Sequence, residues 1–247
     1  DPDSVAAVAP TRVSVTLNEY GNAAITTLRL RDLGFTQPDA EIARLIGFNM
    51  ADSIDSIIRS VADAGTNNLF VNSGVLKTST GTSNAVLGTD IMTRLPATAA
   101  VKLLERQKVQ TKQNNMYVAM IHPDVAFDLQ AENANNAWNA PHVFGTDTAN
   151  IYSGAVGDFQ GARYIETTRT TITANTATTV VNIYNTYYFG RQALVEVVSE
   201  DAHIVIGPQT DKLKRFFPIG WYALRGQAIY RPVSLVTAKT ASSIAAL

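Results

Sequence analysis

The sequence contains no cysteine, which removes disulfides, thiol nucleophiles and thiolate zinc sites together and is compatible with a reducing cytoplasm. Charge is also scarce: 17% of the 247 residues are Asp, Glu, Lys or Arg, against roughly 25% in ordinary soluble domains. The net charge of −1 leaves no global attraction to phosphate or to anionic lipid, so a dedicated nucleic-acid or membrane-surface binder is not expected. His122, His142 and His203 are the only histidines, and they lie far apart without the paired spacing of a metal site. No apolar run is long enough to span a bilayer, and no Asn-x-Ser/Thr acceptor occurs. No charged-then-apolar leader opens the chain at Asp1.

What is present is a large apolar share, 46%, in a chain long enough to bury a sizeable core without staples. With so little charge, part of the uncharged surface is expected to be covered by other subunits, because the cores of permanent interfaces are depleted in charge.

Residues 1–10 read as a loop. Residues 11–31 alternate Val13, Val15 and Leu17 with Arg12, Ser14 and Thr16, the period of a strand with one wet face. Gly21-Asn22 interrupts it, and alternation returns at Leu28 and Leu30, which predicts a bent strand or a hairpin arm. From Asp39 to Asp63, Ile42, Leu45, Ile46, Met50, Ile54, Ile57, Ile58 and Val61 recur at steps of three and four, one stripe of an amphipathic helix. At 1.5 Å per residue that helix would be about 37 Å long, a spine rather than a connector.

Residues 72–88 are rich in Gly, Ser and Thr and read as a loop. Thr89 and Asp90 are candidate caps for a helix running through Arg106, with Leu95, Leu103 and Leu104 inward. Residues 116–121 predict a short buried strand, and Pro123 opens a helix over 122–132. Residues 133–150 are polar and irregular, residues 154–168 carry three Gly before a strand, and 178–189 and 193–198 alternate as strands. Helices and strands mix without a strict βαβ rhythm, so the predicted class is α+β.

Candidate chemistry is thin. His122, Asp124 and Asp128 could serve as a base and its orienting carboxylates, yet a His-Pro-Asp helix start explains the same residues through the helix dipole, and the structural reading outweighs the catalytic one. The stretch "GAVGDFQG" fits neither phosphate-loop pattern, so it reads as a tight turn. No catalytic, cofactor-binding or metal-ligating residue is assigned, and no cofactor is called for.

The stretch "TDKLKRFFPIGWYALRGQAIYRP" interleaves bases with aromatics. Lys212, Lys214 and Arg215 fall between two extended segments, at the predicted tip of a hairpin. In the second segment Tyr222, Leu224, Ala228 and Tyr230 share one face and Trp221, Arg225, Gln227 and Ile229 the other. A nucleic-acid groove, a solvated tip and a protein contact all remain open, with the protein contact favoured.

The ending "LVEVVSEDAHIVIGPQTDKLKRFFPIGWYALRGQAIYRPVSLV", with "MYVAMIHPDVAFDLQAE" and with "VSVTLNEYGN" before a long helix, resembles the major capsid proteins of tailed phages, in the branch typified by the phage N-four coat protein. The resemblance spans nearly the whole chain and rests on the order of degenerate motifs. It implies the Hong Kong 97-type coat fold: residues 1–38 as the remnant and descending strand of an extended E-loop, 39–66 with 186–235 as a peripheral P-domain holding the spine helix and a long sheet, and 67–185 with 236–247 as an axial A-domain. In that family an N-terminal arm and an ascending strand come first. Neither is found here, so residues 11–31 are expected to pair with chain outside this sequence.

The implied function is that of a coat subunit, assembled in the host cytoplasm and resident in the virion. Its partners would be copies of itself in hexamers and pentamers, with portal, scaffolding and decoration proteins as further candidates, DNA enclosed without sequence-specific binding, and no membrane. Candidate interface residues are Lys212, Lys214 and Arg215, placed near a local threefold axis, the acids Glu196, Glu200 and Asp201 across it, and Arg12, Arg29 and Arg31 on the arm. The rival readings are an α+β enzyme using His122 and Asp124, and a tail, fibre or adhesin module.

Overall fold

The structure, a computed structural model, describes residues 12–34, 38–79, 86–112, 114–132, 155–175, 181–209 and 211–244. Contacts divide the chain into two compact units, Asp1–Ala51 with Glu196–Tyr230, and Asp52–Val195 with Arg231–Leu247.

The first unit is built on a three-stranded sheet of β1 (Asn18–Thr27), β10 (Phe216–Ile229) and β9 (Leu194–Ile206), in the order β1-β10-β9. Strand β1 runs antiparallel to β10 from Asn18 opposite Arg225 to Thr27 opposite Phe216. The expectation that this segment lacks a partner in its own chain is therefore corrected: β10 supplies the ladder. Nor does Gly21-Asn22 interrupt the strand. Gly21 sits directly against β10, where a β-carbon would lie 2.7 Å from the Trp221 carbonyl oxygen, so glycine lets the two backbones close rather than breaking them apart.

Extension stops at Thr27, whose hydroxyl accepts from the Leu30 amide at 3.3 Å and caps a short helix, α1 (Leu28–Leu33). The predicted return to strand at Leu28 and Leu30 is replaced by this helical turn, because a Thr cap followed by Leu-Arg-Leu-Arg serves a helix as readily as a strand.

Helix α2 (Pro38–Asp63) follows, one residue earlier than the sequence pattern suggests, with Pro38 in the first helical position and Asp39 and Glu41 in the first turn. Asp39 also holds Arg31 at 2.6 Å. In the first unit the stripe of α2 reaches its deepest point at Ile46, which is 5% exposed and packs with Trp221 and Ala223, flanked by Tyr20, Ala24, Ile42, Met50 and Ala202. Leu45, expected on the buried stripe, is instead exposed, as is Phe48.

In the second unit the sheet runs β3 (Val75–Ser79), β2 (Asn68–Asn72), β11 (Leu235–Thr240), β8 (Val181–Phe189), β4 (Tyr117–Ile121), β6 (Ala162–Glu166) and β5 (Ala155–Phe159), with β7 (Ile172–Asn175) added on β8. The helices α3 (Arg94–Arg106) and α4 (Pro123–Ala131) contribute Ala97, Ala100, Val101, Leu104, Val125 and Leu129 to a core shared with Tyr117, Ile121, Tyr164, Tyr188 and Val236.

Three expectations fail here. Residues 72–79, read as loop, form a hairpin whose Ser73-Gly74 turn takes positive φ at both positions, the geometry of a two-residue connection. Asp90 does not cap α3, which starts after Thr93. Its buried carboxylate accepts instead from the amides of Ser73, Gly74 and Leu87, tying that turn to the chain ahead of α3. Leu95, expected inward, is exposed. Residues 80–85, 133–150 and Gly154 lie outside the described residues; from Ala155 the "GAVGDFQG" stretch is strand β5 followed by a hairpin turn at Gln160-Gly161, as read.

The last turn of α2 carries a second carboxylate that accepts three bonds. Asp63 accepts from the Tyr187 hydroxyl at 2.5 Å, the Thr171 hydroxyl at 2.5 Å and the Asn185 amide at 2.9 Å. Lys239, opposite Asn185 on β11, has its ammonium pulled below the usual lysine range by burial, an effect that Asp63 opposes.

Candidate assembly surface

Large apolar side chains that remain exposed among the described residues concentrate in the first unit. Val13 and Leu17 precede β1, Leu28, Leu30 and Leu33 lie on α1, Leu45 and Phe48 on α2, and Val197, Val198, Ile204, Val205 and Ile206 on β9. Exposed apolar area of this extent on one unit marks a surface that something covers.

Strand β9 is the clearest case. It is an edge strand with almost every residue exposed, so both of its faces and its outer row of amides and carbonyls are open. Its apolar residues come as neighbours, Val197-Val198 and Ile204-Val205-Ile206, and so point to both faces. That break in alternation was the available sequence signal. The alternation expected over residues 193–198 ends short of Ile204-Val205-Ile206, and the strand runs on to Ile206.

The charged candidates resolve into engaged and free groups. Arg225, 7% exposed on β10, donates to Glu196 at 3.0 Å and to Asp201 at 2.9 Å, and Gln227 adds a bond to Glu196 at 2.9 Å. Two of the three acids expected to reach another subunit thus serve this buried guanidinium, a clamp not foreseen from the sequence. Glu200 is left with His203 at 3.7 Å. Glu200 and Glu19 lie near Tyr222, whose phenol is pushed up by burial and then by these two carboxylates.

Beyond β9, the expected tip is present: Gly207 donates its amide to the Pro218 carbonyl, Arg215 donates to Asp211 at 2.8 Å and its carbonyl accepts from the Leu28 amide, and β10 begins at Phe216. That bond to Arg215 is the leading cause holding the Asp211 carboxyl below its ordinary range. Arg31 stacks over Phe217 at 4.2 Å while paired to Asp39. Lys212, Lys214, Arg12 and Arg29 have no ion-pair partner among the described residues.

The tempting catalytic trio is built into the fold. His122 caps α4, its Nδ1 accepting from the Asp124 amide at 3.2 Å. Asp124 accepts from the Tyr184 hydroxyl at 2.8 Å, and that phenol is pushed up to about 12, first by burial and then by Asp124. Asp128 accepts from the Ser243 amide at 3.0 Å and from the Ser243 hydroxyl. A cleft of 570 Å³ in the same unit is lined by Ile58, Met120, Ile165, Phe189, Lys112 and Glu166 among others, and none of the trio lines it. Among the described residues no cluster of three His, Asp or Glu is placed to hold a metal, and no helix is long and apolar enough to cross a membrane.

Comparison with known proteins gives one direction. The family model described as phage capsid protein matches residues 24–231. No curated protein sequence matches the chain. Among solved structures, the head of Helicobacter pylori bacteriophage KHP40 aligns with a TM-score of 0.66 at 14% identity, covering 92% of this chain and 75% of that one. The capsid of Ralstonia phage GP4 aligns at 0.68 and 12% identity, covering 93% and 74%. The holo-SrpI encapsulin complex of Synechococcus elongatus PCC 7942 aligns at 0.59 and 11% identity, covering 92% and 74%. The fold is thus the Hong Kong 97-type coat fold, as the resemblance implied, and it is shared by phage heads and by an encapsulin.

Proposed function

This chain belongs to the phage capsid protein family, whose members are structural proteins of head shells rather than enzymes, and on that premise we propose that it is the major coat subunit of a tailed phage, in the branch typified by the phage N-four coat protein. Copies join into hexamers and pentamers that close an icosahedral shell around double-stranded DNA, assembled in the host cytoplasm. Portal, scaffolding and decoration proteins are its further partners in the head.

The observation that carries this reading is the concentration of uncovered apolar surface in the first unit together with an open 13-residue edge strand. A lone subunit would not keep such an edge unprotected, because free ladder groups invite another chain. The near-neutral total fits a wall that holds DNA by enclosure, since a net charge of −1 supplies no attraction to phosphate. The long α2 serves as the peripheral spine, β9 and β10 as the long sheet of the same region, and residues 67–185 with 236–247 as the axial part. Lys212, Lys214, Arg12 and Arg29 are bases available to other subunits, and Glu200 is the one of the three candidate acids that Arg225 does not hold.

Negative-stain electron microscopy of the purified protein tests this. The coat reading expects capsomer rings or closed shells; a trimer would favour a fibre module, and a small compact oligomer would remove the coat assignment.

A further inference from the structure

In the second unit, Tyr187 on β8, Met120 on β4 and Ile165 on β6 are register partners across three neighbouring strands, so their side chains share one face of the sheet, and Phe189 lies on that face two residues further along β8. Tyr184 and Tyr188 point to the other face, into the core built with α3 and α4. Tyr187 and Phe189 are buried, yet Met120, with a strand on either side of it, is 38% exposed. This open row floors the cleft of 570 Å³, whose lining comes entirely from the second unit. Its volume suits a small molecule, since ligand pockets run from about 300 to 1,000 Å³.

The charges around the cleft are unevenly spent. Arg169 is held by Asp52 and by Asp55, the latter at 3.6 Å. Arg59 donates to the Arg169 carbonyl at 3.2 Å, a neutral acceptor, and the Lys112 ammonium stands over the Phe189 ring at 5.7 Å. Neither Arg59 nor Lys112 has a carboxylate partner among the described residues, and Glu166 on the rim has no cation. Phe189 is level with Val118, two residues before Met120, whereas Glu166 is level with Ile121, one residue beyond it. The basic and acidic ends of the floor are thus separated by about 10 Å along the strands. Thr170 lines the cleft as well, 4% exposed and with its hydroxyl unpaired. The next residue, Thr171, accepts from the Asn185 amide, on the side of Tyr187 away from Phe189, so Thr170 belongs to the Glu166 end.

We propose that this cleft binds a small lipophilic carboxylate, with its carboxylate at Lys112, its apolar body over Phe189, Met120 and Ile165, and a terminal hydroxyl between Glu166 and Thr170. The anion supplies the carboxylate that Lys112 and Arg59 lack, and the apolar body covers Met120. The hydroxyl gives Glu166 a donor and Thr170 an acceptor or donor in turn. A cationic head would be repelled by Lys112 and Arg59, and a wholly apolar ligand would leave the buried Thr170 hydroxyl unmet. The site does not depend on the coat reading, because every group belongs to one unit of a single chain.

Isothermal titration calorimetry of the full chain with ω-hydroxydecanoate, decanoate and decyltrimethylammonium tests the site. The wild-type chain should bind ω-hydroxydecanoate at a single site, decanoate severalfold more weakly, and the cation weaker still by about tenfold or more. Lys112→Glu should reverse the preference between decanoate and decyltrimethylammonium, an outcome that a merely damaged fold does not give. Met120→Glu, at an exposed position, should abolish decanoate uptake with the circular dichroism unchanged. Thr170→Val should erase the advantage of the hydroxylated probe and leave decanoate binding as it was. Lys214→Glu, on the tip in the first unit, should change nothing.

No uptake by the wild-type chain, equal uptake of anion and cation, or uptake indifferent to Lys112→Glu and Met120→Glu would overturn the site. Equal affinity for the hydroxylated and plain probes would remove its hydroxyl end. Binding by dissociated subunits that vanishes in assembled particles would mean that a neighbouring copy fills the cleft, and would overturn the small-molecule assignment.

Discussion

The Trp221 indole donates to Asn49 Oδ1 at 3.0 Å, and the same oxygen accepts from the Asn22 amide at 3.1 Å. One side chain on α2 thereby satisfies a buried indole on β10 and grips β1 as well. Asn49→Leu would leave the Trp221 N–H, on a residue 4% exposed, without an acceptor. The expected cost is about 1–3 kcal/mol, read as a lower urea midpoint at unchanged slope.

Depth along α2 predicts a gradient. Ile46 is 5% exposed whereas Ile54 is only half-buried. Ile46→Ala should cost about 2–5 kcal/mol, the range for a large-to-small change in a packed site, and Ile54→Ala clearly less. Equal losses in thermal or urea denaturation would mean that Ile54 is packed as tightly as Ile46.

Asp63→Ala removes the acceptor of Tyr187, Asn185 and Thr171 at once. The loss should be on the order of 3 kcal/mol or more, because buried donors are left unmet. Tyr187→Phe, which deletes one donor and leaves the carboxylate two, should cost a fraction of that in the same denaturation series.

Alkaline pH should unfold the chain through its buried phenols. Burial, helped by Asp63 and Asp124, pushes Tyr187 and Tyr184 up to about 12, and burial raises Tyr164 and Tyr188 further. Each folded value lies above the ordinary 10, so the stabilisation is complete below pH 10 and is lost as pH climbs through about 12. Phenolate absorbance should therefore rise in two stages, exposed tyrosines first and the buried set together with loss of the circular dichroism signal. A single stage near pH 10 with the fold intact would contradict these environments.

Asp124→Ala should cost about 1–3 kcal/mol through the lost Tyr184 bond and helix-dipole partner, with assembly unchanged. A folded, assembling variant that had lost a measurable turnover would put the enzyme reading in its place.

The parts of this molecule that the sequence shows plainly are those set by local rules. The α2 stripe, the strand before His122, the Pro123 helix start and the Lys212 to Arg215 tip all follow from periodicity, capping or turn residues. What stayed hidden depends on partners distant in sequence. Strand β1 reads as unpartnered because β10 lies nearly two hundred positions away, and Gly21 reads as a break because only the Trp221 carbonyl explains it. The Ser73-Gly74 turn is a hairpin signal that its Ser- and Thr-rich surroundings obscured. For the assembly surface, the bases were legible as a cluster. Which acids stay free was not, since the clamp of Arg225 on Glu196 and Asp201 exists only once β9 and β10 lie side by side.

The central claim is that the open edge and apolar surface of the first unit are covered by other copies of the chain, and hydrogen exchange on dissociated subunits and on assembled particles tests it most directly. The account predicts that peptides spanning β9 exchange quickly in subunits and severalfold more slowly in particles, while the β4 and α4 core changes little. Equal exchange of β9 in both states would contradict it.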